Sequence, residues 1–336
     1  MPFIDSIDVL LAAGPVVVAG LGLTVAERVL GDRTPAPVLL ARRAQPVGAL
    51  AAVVALAMPE GRGAGAVAAL WLAVCVCATV GGVSLVGRVA SGDALAVDIV
   101  RWPLALVTLA VALGYLSVGG AWLVISRLGL HPFDLSSDIV RLTAVHFHYA
   151  GFGMSVLAAT GLAGADWMAS RVALTMGSVT AIAGPPIVAV GFVTGSALAQ
   201  VGGAVVVTAA AWAVAFGTFL LATSSSQARV VPSWERGLAQ WVGRILLVVS
   251  ALSPLVPMLL AMQWALAQHV DVPALSIRDM ANTHGVLNGV GFVIAGLAGW
   301  LLAGVVSPET EPVLAPDGEI GRDAPARGSG GAVQAP

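Results

Sequence analysis

Leu142-Thr143-Ala144-Val145-His146-Phe147-His148-Tyr149-Ala150-Gly151-Phe152 lies at the centre of an apolar run from Asp138 to Gly164. The run is long enough to cross a bilayer as a helix, which takes about 20 predominantly apolar residues. It nevertheless carries two imidazoles and a phenol into the hydrocarbon, where ionisable groups are costly and mark functional positions by default. A second stretch, Asp279-Met280-Ala281-Asn282-Thr283-His284-Gly285-Val286-Leu287-Asn288-Gly289, opens the last long apolar run and adds a third imidazole and an amide. The remaining spans read as scaffold around these two.

Composition sets the class. With 58% hydrophobic and only 10% charged residues, the 336-residue chain is too apolar for a soluble domain and reads as an all-α, polytopic transmembrane bundle. Cys75 and Cys77 sit two residues apart in one span, on different sides of a helix, so neither a disulfide between them nor thiol chemistry is indicated. The N-terminus lacks a basic n-region and a small-residue cleavage site, so the first apolar run is expected to stay as an anchor.

About nine spans are expected: Val9 to Ala26, Pro46 to Met58, Ala64 to Val86, Ala96 to Ile125, Ile139 to Gly164, Val172 to Leu198, Val201 to Ala222, Leu238 to Ala267 and Arg278 to Val306. The second is short and follows Arg42 and Arg43. Gln200, Gly202 and Gly203 mark a tight turn between the sixth and seventh. Residues 1–306 form one membrane domain in this reading, and the Pro-, Gly- and acid-rich segment 307–336 is a disordered cytoplasmic tail. All the cations are arginine, and an N-out, C-in topology places twelve of the 16 inside, as the positive-inside rule prefers. Asp98 with Arg101, Glu27 with Arg28, and Asp166 then fall at the inner face. The fifth and ninth spans run in the same direction, so His146 and His284 sit level, about 10 Å below the outer edge of the hydrocarbon. Glycines follow both histidines at the same offsets, Gly151, Gly153 and Gly161 after His146 and Gly289, Gly291 and Gly299 after His284. Either an internal duplication or two separately Gly-rich packing faces accounts for this.

Two histidines two residues apart on a helix point about 200° apart, so His146 and His148 do not clasp one metal ion together. The face of His146 contains Asp138, Leu142 and Tyr149, while Arg141 lies toward His148. Asp138 and Arg141 are spaced to pair at the mouth of the span. Asn288 lies one turn below His284, and Asp279, Asn282 and Thr283 lie above it as a polar stripe entering from outside. Tyr115 and Trp122 of the fourth span are within reach of such a pocket. Gly184-Pro185-Pro186 is expected to break the sixth span, and Ser253, Pro254 and Pro257 the eighth. The plain structural alternative for these polar groups is hydrogen bonding that holds the bundle together.

These residues also carry a resemblance. The run from Leu142 to Phe152, with Gly119-Gly120-Ala121-Trp122 upstream and Asp279-Met280, His284 to Gly289 and Gly291-Phe292 downstream, resembles the YndJ-like family of bacterial membrane proteins. The similarity spans about Val9 to Val306 and excludes the tail. It implies a polytopic membrane protein of a family loosely described as transporter-like, without a settled activity; the expected location is the bacterial cytoplasmic membrane. His146, His148, His284 and Asn288 match its pattern, but the resemblance assigns them no role.

Three functions compete at this stage. The leading one is an intramembrane enzyme of isomerase or cyclase type, opening an epoxide or shifting a double bond on a lipophilic small molecule without a cofactor. In it His146 or His148 is acid or base, His284 is the complementary partner, and Tyr149 and Asn288 orient the substrate. Asp138, Arg141, Asp279, Asn282, Thr283, Tyr115 and Trp122 complete the substrate pocket. The second is a proton-linked transporter using the same groups. The third is a membrane protein holding haem or a metal between His146 and His284. The polar stripe enters from one side and stops, which favours a pocket over a pathway. No P-loop, dinucleotide fingerprint or nucleic-acid-binding stripe occurs.

Overall fold

The protein is described here from a computed structural model, which covers residues 5–91, 103–165, 167–224 and 234–304, the side chains of 234–236 excepted. Asp98, Arg101, Asp166, Arg229, the side chain of Arg236 and the expected tail lie outside what is described.

Every described element is helical. Eight helices are long and apolar enough to cross a membrane: α1 (Ser6–Arg33), α2 (Ala36–Ala57), α3 (Arg62–Ala90), α4 (Pro103–Arg127), α6 (Met168–Thr194), α7 (Ala197–Thr223), α8 (Gly237–Ala267) and α9 (Ile277–Ala303). A further run, α5, is less apolar but equally continuous. It is built from Ser137–His146, Phe147–Gly153 and Met154–Ala163. Its position explains how it tolerates polar groups. It touches α1, α4, α6, α7 and α9, and all residues from Met154 to Leu162 are buried. The helices around it turn Leu40, Val47, Val83 and Leu198 outward, the apolar surface that a lipid solvent requires. The chain is a polytopic helical membrane protein.

Two ion contacts show how the odd-numbered spans run. Arg141, near the start of α5, binds Asp8 at 2.8 Å, Asp138 at 2.6 Å and Asp5 at 3.5 Å, so α1 and α5 begin at the same end of the bundle. At the other end, Arg28 Nη1 donates to the Leu301 carbonyl at 2.9 Å, which places the end of α1 beside the end of α9. Spans α1, α5 and α9 are therefore parallel.

Three expected boundaries shift. Span α2 begins at Ala36 rather than Pro46, with Arg42 and Arg43 inside the helix. The Arg42 guanidinium meets Glu27 of α1 at 2.5 Å, which offsets the charge that had suggested a boundary. The turn between α6 and α7 is Gly195-Ser196, not Gln200 to Gly203. Gly195 takes the left-handed conformation (φ 65°) that glycine adopts without strain, and the Ser196 side chain caps α7. Gly203 serves instead as a close-packing site, since a Cβ there would lie 2.9 Å from the Val188 backbone nitrogen. Lastly, Pro185 and Pro186 lie inside an unbroken α6, whereas α8 is interrupted between Leu252 and Pro257 as expected.

Candidate functional site

The site begins with backbone irregularity. Spans α1, α5 and α9 each contain π-helical turns, at Gly14–Val18, Phe147–Gly153, and Ala281–Gly285 followed by Leu287–Ile294. The π segments of all three spans touch one another. A π turn displaces carbonyls from the regular ladder, and in an apolar interior those groups need other partners. Neighbouring side chains meet the backbone here. Gln45 Nε2 donates to the Pro15 carbonyl (2.7 Å), and Tyr149 O–H (3.1 Å) and Ser250 O–H (2.7 Å) add second bonds to the Leu10 and Phe292 carbonyls, which also accept the Gly14 and Ala295 amides. Gly151, Gly153, Gly289 and Gly291 lie in these turns, Gly161 and Gly299 in regular helix beyond them, and Gly153 and Gly289 face across the pair of spans. Gly153 abuts Val293, and a Cβ at Gly289 would come within 3.0 Å of the Tyr149 ring.

Beside this junction lies a cavity of about 240 Å³, lined from α1, α4, α5, α6, α7, α8 and α9. Its walls are aliphatic and aromatic, with Trp122, Phe147, Phe192 and Trp264 among them, and no Asp, Glu, Lys or Arg of the described residues lines it. The polar groups that reach it are few. His146, His284 and Asn288 line it, as expected from their common depth, together with Thr143, Gln200 and Tyr149.

The three histidines divide by what holds them. In each, Nδ1 meets a backbone carbonyl: Leu142 for His146 (2.8 Å), Ala144 for His148 (2.8 Å) and Pro257 for His284 (2.9 Å). A carbonyl only accepts, so Nδ1 carries the proton and Nε2 the lone pair in the neutral ring. At His148 that lone pair is already taken, because Trp71 Nε1–H donates to it at 3.1 Å. His148 is fully buried and closed in by Gly14 and Gly119, and it does not line the cavity. At His146 and His284 no protein donor reaches Nε2 among the described residues, and both rings line the cavity. Asn288 Nδ2 donates to the His284 carbonyl at 3.0 Å and also lies 3.2 Å from His284 Nδ1, while its Oδ1 is buried and unpartnered among the described residues.

Several expected site residues stand elsewhere. Tyr115 donates its O–H to the Ile182 carbonyl, the group that Pro186 leaves without its usual i+4 amide donor, so it completes the α6 backbone rather than lining the cavity. Tyr149 does line the cavity, but its hydroxyl is committed to Leu10. Asp138 and Arg141 do pair, within a larger cluster that includes Asp5 and Asp8 and lies outside the cavity lining. Asp279 is exposed and accepts a 2.7 Å bond from the Ser276 hydroxyl; Thr283 bonds back to the Asp279 carbonyl; Asn282 is exposed. None of the three lines the cavity. Trp122 does. Gln200, Phe192 and Trp264 are lining residues that the sequence reading did not select. Gln200 donates to Gly191 and receives His269 Nε2–H at 2.9 Å. Among the described residues no three His, Cys, Asp or Glu side chains gather as a metal set.

The fold and site define a polytopic helical membrane protein with a partly open cavity that, among the described residues, is lined by no charged side chain and carries two imidazole nitrogens without a protein donor. The chain matches the YndJ-like protein family over residues 9–292 and belongs to it. No curated protein and no solved structure shows a significant match.

Proposed function

We propose that the protein is an intramembrane enzyme that moves a proton on a neutral, lipophilic small molecule, in the manner of an isomerase or cyclase. The observation that carries this reading is the pair of Nε2 lone pairs, on His146 and His284, lining a cavity without charged groups among the described residues. A neutral imidazole has a lone pair that can accept a proton, so one ring can take a proton from one position of the bound molecule and, then charged, return it to another, while the Nε2 of the other ring accepts a hydrogen bond. Asn288 sits one turn from His284 and orients the bound molecule. The apolar and aromatic walls suit a substrate drawn from the bilayer. His148 and Tyr149 support the site as structural groups. Residence in the bacterial cytoplasmic membrane, with the N-terminus outside and the cavity in the outer leaflet, belongs to the same proposal and rests on the placement of arginines.

The test is a comparison of lipid extracts from membranes containing the wild type, His146→Ala or His284→Ala. An enzyme of this kind converts one extractable species into another of equal mass and different retention time, and each variant blocks the conversion while remaining folded. The conversion also proceeds in detergent without a membrane gradient. Dependence on a proton gradient would favour proton-linked transport instead. An optical spectrum and elemental analysis belong to the same preparation, because a stoichiometric metal lost in both variants would replace acid/base chemistry with a metal or haem centre.

A further inference from the structure

We infer that the molecule bound in the cavity is a neutral lipophile whose polar end is a hydroxyl, presented as a hydrogen-bond donor to Nε2 of His146, of His284, or of both. The inference deepens the proposed acid/base reading and rests on it for the identity of the site.

His148 supplies the comparison within the same molecule. In all three imidazoles Nδ1 faces a backbone carbonyl; at His284 the Asn288 amide nitrogen also lies 3.2 Å from that Nδ1. At His148 the protein itself provides the donor that Nε2 requires, the indole N–H of Trp71. At His146 and His284 the equivalent position is open on the cavity and has no protein donor among the described residues. His146 is exposed and His284 half-buried, so a molecule that fills the cavity can bring the donor to either lone pair.

The rest of the lining narrows the chemistry. A carboxylate or phosphate would bring acceptors to acceptors, and no Arg or Lys of the described residues lines the cavity to offset its charge. An ammonium would find no carboxylate there. An ether or ketone has no proton to offer to either lone pair. Gln200 does not alter this preference, because its amide is engaged on both sides, by Gly191 and by His269. An alcohol, enol or phenol on an apolar frame satisfies the histidines and leaves the aromatic walls to hold the frame.

The experiment uses the full-length protein in lipid nanodiscs with four probes that share one chain length: decan-1-ol, 1-methoxydecane, decanoate and decylammonium. Affinity is read from concentration-dependent thermal stabilisation, and the contact from nitrogen resonances of ¹⁵N-labelled histidine. Decan-1-ol is expected to bind roughly tenfold more tightly than 1-methoxydecane, the worth of one well-made hydrogen bond. It is also expected to shift the Nε2 resonance of His146, His284 or both while that of His148 stays in place. In His146→Phe/His284→Phe the alcohol and the ether should bind within about twofold of each other. Equal binding of alcohol and ether by the wild type, preference for decanoate or decylammonium, or an alcohol preference that survives in the double variant would each overturn the inference. If the double variant does not fold, the wild-type ratio and the nitrogen resonances decide. Alcohol-selective binding without any converted product would reject the acid/base reading and leave this inference standing; conversion of a substrate lacking O–H would do the reverse.

Discussion

Trp71 Nε1–H donates to His148 Nε2 at 3.1 Å, and this bond separates His148 from His146, its neighbour two residues away. One imidazole is enclosed and satisfied, the other lines a cavity with its lone pair free. His148→Phe is expected to cost about 1–3 kcal/mol, the penalty for stranding the buried indole N–H. His146→Phe should stay within about 1 kcal/mol of the wild type, since it removes only a bond to Leu142 and faces the cavity. Unfolding of the two variants in detergent, followed by tryptophan fluorescence, checks the ordering; a larger loss for His146→Phe would contradict the division.

Gly119 is where α4 makes room for His148. A Cβ added there would lie 2.6 Å from the ring Nδ1, whereas nothing lies within 4 Å of a Cβ at Gly114 on the same helix. Gly119→Ala should therefore destabilise by about 1–3 kcal/mol through overpacking, and Gly114→Ala should be neutral or slightly stabilising. The same unfolding assay separates them.

Tyr115 and Pro186 form a testable couple. Tyr115→Phe strands the Ile182 carbonyl and should cost about 1–3 kcal/mol. Pro186→Ala restores a backbone N–H in register with that carbonyl, so in its presence Tyr115→Phe should cost much less. A double-mutant cycle that gives additive effects would show that the phenol does not serve the proline site.

How much of this could be read from the chain depends on the kind of signal. Fold class and the level of His146 with His284 follow from apolar runs and arginine placement, which depend only on the bilayer as solvent. The 200° divergence of His146 and His148 follows from helical pitch. What could not be read was which polar groups the backbone would claim. Tyr149, Tyr115 and His148 look like site residues in sequence, yet each closes a bond whose partner is far along the chain: Leu10, Ile182 and Trp71. The π turns leave only indirect marks, such as Gly14-Pro15 and the paired glycines 151 and 153, and 289 and 291. The α6 and α7 wall of the cavity was missed because Phe192, Ala204 and Val207 are ordinary apolar residues, whose role appears only once the helices pack.

Arg141 should behave as an anchor. It is surrounded by Asp5, Asp8 and Asp138, so Arg141→Gln leaves three carboxylates facing one another at the start of α1 and α5. The variant is expected to lose stability, and adding Asp8→Asn should recover part of the loss. If Arg141→Gln instead abolished conversion or ligand binding at unchanged stability, the arginine would belong to the site.

The most direct measurement is deuterium incorporation. Membranes containing the wild type or His146→Ala/His284→Ala are incubated in heavy water, and the lipid extracts are compared by mass spectrometry after exchangeable positions are washed back to protium. Transfer of a proton through His146 and His284 places deuterium at a carbon position of one lipophilic species, with the wild type only. Deuterium at no carbon position, or equal labelling with the double variant, would contradict proton-transfer chemistry in this cavity.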